Sequence, residues 1–324
     1  MLAEAKPHPL AVQDLFGESI APAASGALKQ RFVMPPFSVL NARDGEWQDR
    51  KRQWRALGLD GDDGTRDGGQ AISDDAPRRM AKYNGITEVN ARLGAGTSIF
   101  DPVLCEVMYG WFCPPYGHIM DPFAGEATKG IVAGMLGYQY TGAELRQAQV
   151  DANRAQARAI GVCPEPRWVV RDSAQLTIMD DGIGGLFDFV WTSPPYYDLE
   201  VYTKGDSADG SAFATYESFM VWYKTIFAAA TYSLRPNRFL AVKVGEIRDE
   251  RGVYRNFVAD NIRVFRELGL HYYNEIILVT AVGSAAIRAG NQFSAGRKIS
   301  KTHQNILVFY KGDLRRIKHE FPPA

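Results

Sequence analysis

Phe187-Asp188-Phe189-Val190-Trp191-Thr192-Ser193-Pro194-Pro195-Tyr196 reads as a strand delivering a stiff polar turn. The run 187–191 is too short for a helix and is dominated by large apolar residues, the pattern of a strand buried on both faces. Two prolines then hold φ at about −65° and remove two backbone donors, so the turn presents carbonyl oxygens. A turn of acceptors suits a partner that is a donor, such as an exocyclic amine. Tyr196 adds an aromatic face at the end of that turn.

A second turn of this kind lies 71 positions earlier, where Asp121-Pro122-Phe123-Ala124-Gly125-Glu126-Ala127-Thr128 follows the short apolar run 118–120. Gly125 allows a tight turn and close backbone approach, and the turn runs into a helix whose first N–H groups point outward. The next strand ends at Thr141-Gly142-Ala143-Glu144-Leu145, and the one after it at Val169-Val170-Arg171-Asp172-Ser173. A carboxylate at the end of a second strand can accept both ribose hydroxyls of an adenosine, as in dinucleotide-binding folds. Asp172 is placed to accept from an adenine amino group. Acidic residues at three successive strand ends are hard to attribute to packing.

The remainder alternates between the two periodicities. Helices are expected over 102–112, 128–136, 146–160, 216–233 and 254–268. Strands are expected over 118–120, 138–142, 168–170, 187–191, 239–244, 275–280 and 306–310. Strands alternating with helices predict an α/β fold, a doubly wound and mostly parallel seven-stranded sheet. The last two strands, joined without an expected helix, predict an antiparallel finish. A ligand of such a sheet belongs at the carboxyl ends of its strands.

These residues resemble the amino-group DNA methyltransferases, which act on cytosine N4 or adenine N6. Residues 97–145 are similar to the methyl-donor half of that family, whose loop commonly reads D-P-F-x-G-x-G-T; Ala127 stands here where the second Gly is usual. Thr97-Ser98-Ile99-Phe100-Asp101-Pro102 resembles the segment that wraps the methionine end of the donor. The resemblance implies a Rossmann-like methyltransferase core that binds S-adenosylmethionine through Phe100, Asp121, Pro122, Phe123, Gly125, Thr128, Glu144, Leu145, Asp172 and Ser173. It implies that Ser193, Pro194, Pro195 and Tyr196 hold a base flipped out of DNA. Ser193 and the Pro194 carbonyl would accept the amino hydrogens, and Tyr196 would stack on the base. Ser at the first position of the tetrapeptide favours cytosine N4 over adenine N6. Tyr197, Asp198 and Glu200 are candidates to discriminate the base edge. An RNA or protein-amide substrate, or a non-catalytic DNA-binding shell, stays open at this point.

Composition narrows the field without deciding it. The chain has 324 residues, is 46% hydrophobic, and balances 37 Lys and Arg against 37 Asp and Glu. Zero net charge neither favours nor excludes nucleic acid, because a basic face can be offset elsewhere. Three scattered cysteines, Cys105, Cys113 and Cys163, lack ligand spacing and predict reduced thiols and no metal. No signal sequence or membrane span is expected, which predicts a cytoplasmic protein.

Residues 1–95 read as an N-terminal extension to a 96–324 methyltransferase domain, serving in target contact or packing. Within it, the charged stretch 45–57 predicts a helix with Trp47 and Trp54 on one face, as core anchors. Arg50-Lys51-Arg52-Gln53-Trp54-Arg55 is a candidate basic surface, and the Gly/Asp-rich stretch 60–76 lacks the acidic positions of a calcium loop. Residues 281–302 carry Arg288, Arg297, Lys298 and Lys301 with no acidic side chain, and predict a long loop that contacts DNA phosphates. His303, Gln304 and Asn305 lead from it into the last strand and can face the same cleft. No large recognition domain follows either signature turn, so recognition falls to residues 1–95, 201–215 and 281–302.

Overall fold

The computed structural model describes residues 32–59, 100–175, 187–197, 213–282 and 285–321. In chain order these form β1 (Val39–Asn41), α1 (Gly45–Ala56), α2 (Pro102–Phe112), β2 (His118–Asp121), α3 (Thr128–Met135), β3 (Gln139–Glu144), α4 (Gln147–Ile160) and β4 (Arg167–Val170). There follow β5 (Phe187–Thr192), α5 (Tyr216–Ser233), β6 (Leu234–Val244), α6 (Phe257–Glu267), β7 (His271–Val279), α7 (Ala285–Gly296), β8 (His303–Lys311) and α8 (Ile317–Glu320). The stretch 60–76, Thr97 to Ile99, Asp198, Glu200 and the segment 201–212 lie outside the described residues.

All seven expected strands are present, and β1 adds an eighth, in the order β1-β7-β8-β6-β5-β2-β3-β4. Neighbours run parallel except at β8, which is antiparallel to both β6 and β7. The chain winds outward from β2 through β3 to β4, returns to β5 on the other side of β2, and continues to β6. Two turns leaving in opposite directions make a crevice at the carboxyl ends of β2 and β5. The site is built there.

Local chemistry accounts for the elements. All six residues of β5 are buried, as a central strand covered on both faces requires. Pro102 starts α2 at a position where its missing N–H costs nothing, and the Asp101 carboxylate accepts from Val103 N and Leu104 N. Thr215 and Ser218 form a reciprocal capping box that begins α5. One core layer is aromatic: the rings of Tyr223, Phe227, Phe265 and Phe309 follow one another at centroid distances of 4.4–4.8 Å between α5, α6 and the sheet.

Residues 38–323 belong to one compact unit, so the described part of the N-terminal region from Ser38 onward is packed with the sheet. Of the preceding unit, residues 32–37 form two tight turns, with Met34 N bonded to Phe32 O and Phe37 N to Pro35 O. β1 pairs in parallel with β7. Trp47 and Trp54 share the inward face of α1 at 1% and 8% exposure. Their indole N–H groups donate to the Asp101 and Glu106 carboxylates, at 3.2 Å and 3.0 Å. Arg50 and Lys51 pair with those carboxylates, so part of the expected basic surface is spent on α2.

Three expectations need correction. The segment 281–302 is not one long loop, because α7 occupies its middle. Ala285, Ala286, Ala289 and Gln292 are strong helix formers with no proline among them, and they outweigh the Gly and Ser content that suggested a loop. A helix therefore connects the last two strands, which are antiparallel all the same. β7 starts at His271, four residues before the expected edge, because its first five residues are exposed and carry no alternating apolar signal. β6 begins at Leu234, so Pro236 lies inside a strand near a register shift that absorbs its lost donor. No helix among the described residues is long and apolar enough to cross a membrane.

Candidate active site

Asp121 ends β2, fully enclosed, and each carboxylate oxygen is committed. Oδ1 accepts from Phe123 N at 3.0 Å and from the Thr192 hydroxyl at 2.6 Å; Oδ2 accepts from the Tyr140 hydroxyl at 2.8 Å. The Lys129 ammonium, 3% exposed, pairs with Oδ2 and donates to Phe123 O at 2.9 Å. A buried carboxylate is stable only when paired and hydrogen-bonded, and this one is both. Through these bonds Asp121 fixes the turn that follows it. Burial beside this carboxylate drives the Tyr140 hydroxyl far above the ordinary tyrosine range, so it stays protonated and donating.

Among the described residues the turn borders open space: Gly125 has φ +58°, and a Cβ built there meets none of their atoms within 4 Å. Beneath the turn, a Cβ at Gly142 would lie 2.7 Å from Ala124 Cβ, so only glycine lets β3 run under it. Asn153 Nδ2 donates to Gly125 O at 2.8 Å, and Ala124 N to Ala143 O at 2.9 Å. Glu126 accepts from Thr128 N, Thr128 Oγ1 and Phe100 N. It therefore caps α3 and ties Phe100 to the turn. Phe100 meets Trp191 edge-on at 5.8 Å, and the Lys243 ammonium sits 4.3 Å from its ring centre.

Register brings the other acidic residues to the same edge. Asp121 lies beside Gly142, and Glu144 beside Val170, two residues before Asp172. Glu144 is partly exposed and accepts from Arg146 N and Nε at 3.1 Å, which orients its carboxylate at the strand end. Leu145 follows at intermediate exposure. Asp172 accepts from Ala174 N at 2.8 Å, and the buried Ser173 hydroxyl donates to Pro122 O, stitching the end of β4 to the turn after β2. Phe123 packs on Trp222 and Phe227 with centroids 5.9 Å away. Thr128 is buried, with its hydroxyl spent on Glu126.

At the end of β5, Pro194 and Pro195 are buried while Ser193 and Tyr196 are partly open. The Ser193 hydroxyl donates to Lys243 O at 3.3 Å. A hydroxyl whose hydrogen is given to a carbonyl turns its lone pairs to the other side, as an acceptor. The Tyr196 hydroxyl accepts from Gln304 Nε2 at 3.3 Å, and its ring packs on Phe257 at 6.1 Å. Tyr197 is nearly buried, with the Arg255 guanidinium 5.0 Å from its ring centre.

The basic residues of 281–302 divide. Arg288 lies in α7, and its side chain is outside the described set. Arg297 lies 5.1 Å from the Phe293 ring, and Lys298 rests against Gly252. Lys301 donates to Asn305 Oδ1 at 2.8 Å. Burial lowers the Lys301 ammonium from its ordinary range, opposed by Glu246 and Glu275. Among the described residues no cluster of three or more His, Cys, Asp or Glu is placed to hold a metal ion.

Gln304, expected to face the cleft, is there and holds Tyr196; Lys129, Lys243 and Glu126 were not foreseen. Lys129 alone left a signal, a charge in the otherwise buried helix Thr128–Met135. Lys243 arrives through strand pairing and had none.

No protein-family model matches the chain, and no curated protein does. Solved structures similar to it include TrmN from Thermus thermophilus, at 14% identity and TM-score 0.44, over 72% of this chain and 53% of that one. The chain thus spans about half the length of TrmN. A TehB-like SAM-dependent methyltransferase from Corynebacterium glutamicum matches at 16% identity and TM-score 0.40, covering 72% of this chain and 99% of that chain. Magnesium protoporphyrin IX methyltransferase from Synechocystis, solved with bound SAM, matches at 13% and TM-score 0.41, covering 78% and 99%. At such identities and scores, activity has to be argued from the site. The fold itself is the Rossmann-like α/β architecture described above.

Proposed function

We propose that the chain is an S-adenosylmethionine-dependent methyltransferase acting on the exocyclic amine of a DNA base, cytosine N4 in preference to adenine N6. The supporting observation is the bond from the Thr192 hydroxyl to Asp121, which sets the turn after β2 and the turn after β5 side by side at the switch point. When bound, S-adenosylmethionine supplies a methyl group already activated by its sulfonium. The residues present fit it: open space at Gly125, a carboxylate at Glu144 for ribose hydroxyls, and Asp172 for an adenine amine.

Asp121 works from behind the turn, holding Phe123 and Thr192. Ser193, with its hydrogen committed to Lys243 O, keeps lone pairs for one amino hydrogen, and the Pro194 carbonyl takes the other. Both acceptors draw density onto the amine nitrogen and fix its lone pair. Catalysis is then mainly positioning, which can supply about 7–11 kcal/mol of the barrier. Tyr196, held by Gln304, offers its ring to a base displaced from the stack. Ser at the head of the tetrapeptide supports the cytosine preference.

The test is incubation of the protein with isotope-labelled S-adenosylmethionine and mixed-sequence DNA, followed by digestion and mass spectrometry of the nucleosides. Labelled N4-methylcytosine is expected. Label in N6-methyladenine would reverse the base preference. Donor binding with no label in DNA would move the substrate to RNA or a protein amide.

A further inference from the structure

Two segments outside the proposed chemistry meet beside the Ser193–Tyr197 turn. One is the hairpin 247–255, closed by a bridge between Arg248 and Tyr254 and by Arg248 Nη1 donating to Gly252 O at 2.7 Å. The other is the end of α7 with residues 297–301. Lys298 joins them, because its ammonium fills the space a Cβ at Gly252 would need. Both reach the turn: Arg255 covers Tyr197, and Gln304, just past the second segment, holds Tyr196.

Toward solvent this surface combines cations with half-exposed rings. Tyr254 is 44% exposed with the Arg248 guanidinium 3.9 Å from its ring centre, and Phe293 is 47% exposed beside Arg297. The segments contain Arg248, Arg251, Arg255, Arg297, Lys298 and Lys301 against Asp249 and Glu250, in a chain with no net charge. Asp249 is spent inside its turn, accepting from Val253 N, Arg251 N and Arg251 Nε. Phosphates of a duplex ask only for cations, and a duplex hides its base faces. A single strand offers phosphates and open bases together, which is what cations interleaved with aromatic faces bind.

We propose that this surface holds a single-stranded polynucleotide, with bases on Tyr254 and Phe293 and phosphates at Arg251 and Lys298, leading the strand toward Tyr196. The proposal rests on the nucleic-acid reading of the site and adds the form of the substrate and its flanking contacts.

Anisotropy titrations of the full chain, without donor, would use fluorescein-labelled single-stranded DNA, the same sequence as RNA, and the matching DNA duplex. Both single strands are expected to bind more tightly than the duplex, the tighter of the two naming the polymer. The pair Tyr254→Ala and Phe293→Ala should weaken single-strand binding about tenfold or more and leave duplex binding unchanged. Tyr254→Phe should retain affinity, showing that the ring is needed and that the fold survives. Lys298→Ala should reduce the salt slope by about 0.7. Tighter duplex binding, or single-strand affinity indifferent to both rings, would overturn the proposal. Parallel methyl-incorporation assays separate the two readings. Label entering DNA with no dependence on the rings sinks this surface and keeps methyl transfer. Ring-dependent binding with no label in any nucleic acid keeps the surface and removes methyl transfer.

Discussion

The Thr192 hydroxyl lies 2.6 Å from Asp121 Oδ1, a hydrogen bond across 71 residues that joins the ends of β2 and β5. Both partners are fully buried. Thr192→Val keeps the shape of the side chain and removes the donor, leaving a buried carboxylate one bond short. The expected loss is about 1–3 kcal/mol of stability in urea unfolding, together with reduced turnover. Thr192→Ser should restore both. A fully stable Thr192→Val protein would show that the bond carries no weight.

Lys129 and Asp121 form an ion pair with 3% and 0% side-chain exposure. Lys129→Met leaves the carboxylate uncompensated and should cost about 3–5 kcal/mol by denaturant melts. Adding Asp121→Asn should recover part of that loss, since the stranded charge is gone. A double variant no more stable than Lys129→Met would argue against charge as the cause.

Glu144 stands partly exposed at the end of β3, oriented by Arg146. Glu144→Ala should weaken S-adenosylmethionine binding by about ten- to a hundredfold in calorimetry while the thermal midpoint barely moves, as lost charged hydrogen bonds imply. Unchanged affinity would remove Glu144 from the donor site.

Tyr196→Ala should cut turnover more than polynucleotide affinity, because stacking of a base on an aromatic ring is worth about 1–3 kcal/mol. Tyr196→Phe removes the hydroxyl that Gln304 bonds while keeping the ring, and should retain most of the rate. Wild-type turnover in Tyr196→Ala would end the stacking role.

Burial lowers the His118 imidazole to about 4, opposed by Asp188 and assisted by Arg235 and Arg167. The unfolded chain takes up this proton near the ordinary 6.5, while the folded one resists it until about 4. Unfolding therefore binds a proton in that window, and stability, complete above 6.5, should decline as pH falls toward 4. His118→Gln can still bond Thr141 and should flatten this part of a stability–pH curve. An unchanged slope would assign the acid sensitivity elsewhere.

The seven expected strands, and the two turns that follow β2 and β5, were legible because short apolar runs ending in Pro and Gly carry their meaning locally. The helix Tyr216–Ser233 was equally plain, opened by the polar cap Thr215. What escaped depends on pairing between distant segments. β1 is three residues long and exists through β7. β7 begins in a stretch of exposed residues, and Gln304 reaches Tyr196 across 108 positions. Lys129 left one trace, a single charge in an apolar helix, but a lysine there reads as surface until Asp121 is seen beside it. α7 was missed because Gly and Ser were weighed above a helix-forming alanine set.

The reversed strand β8 also governs the order in which the molecule is completed during synthesis. β1 pairs with β7, and β7 joins the rest of the sheet through β8. A nascent chain that has emerged only as far as α7 has β2 to β6 in hand but no partner on the outer side of β6. Two strands already made must wait for the next one, and the same strand brings Gln304 to Tyr196. Closure of the sheet and support of the Ser193–Tyr197 turn are thus a single late event.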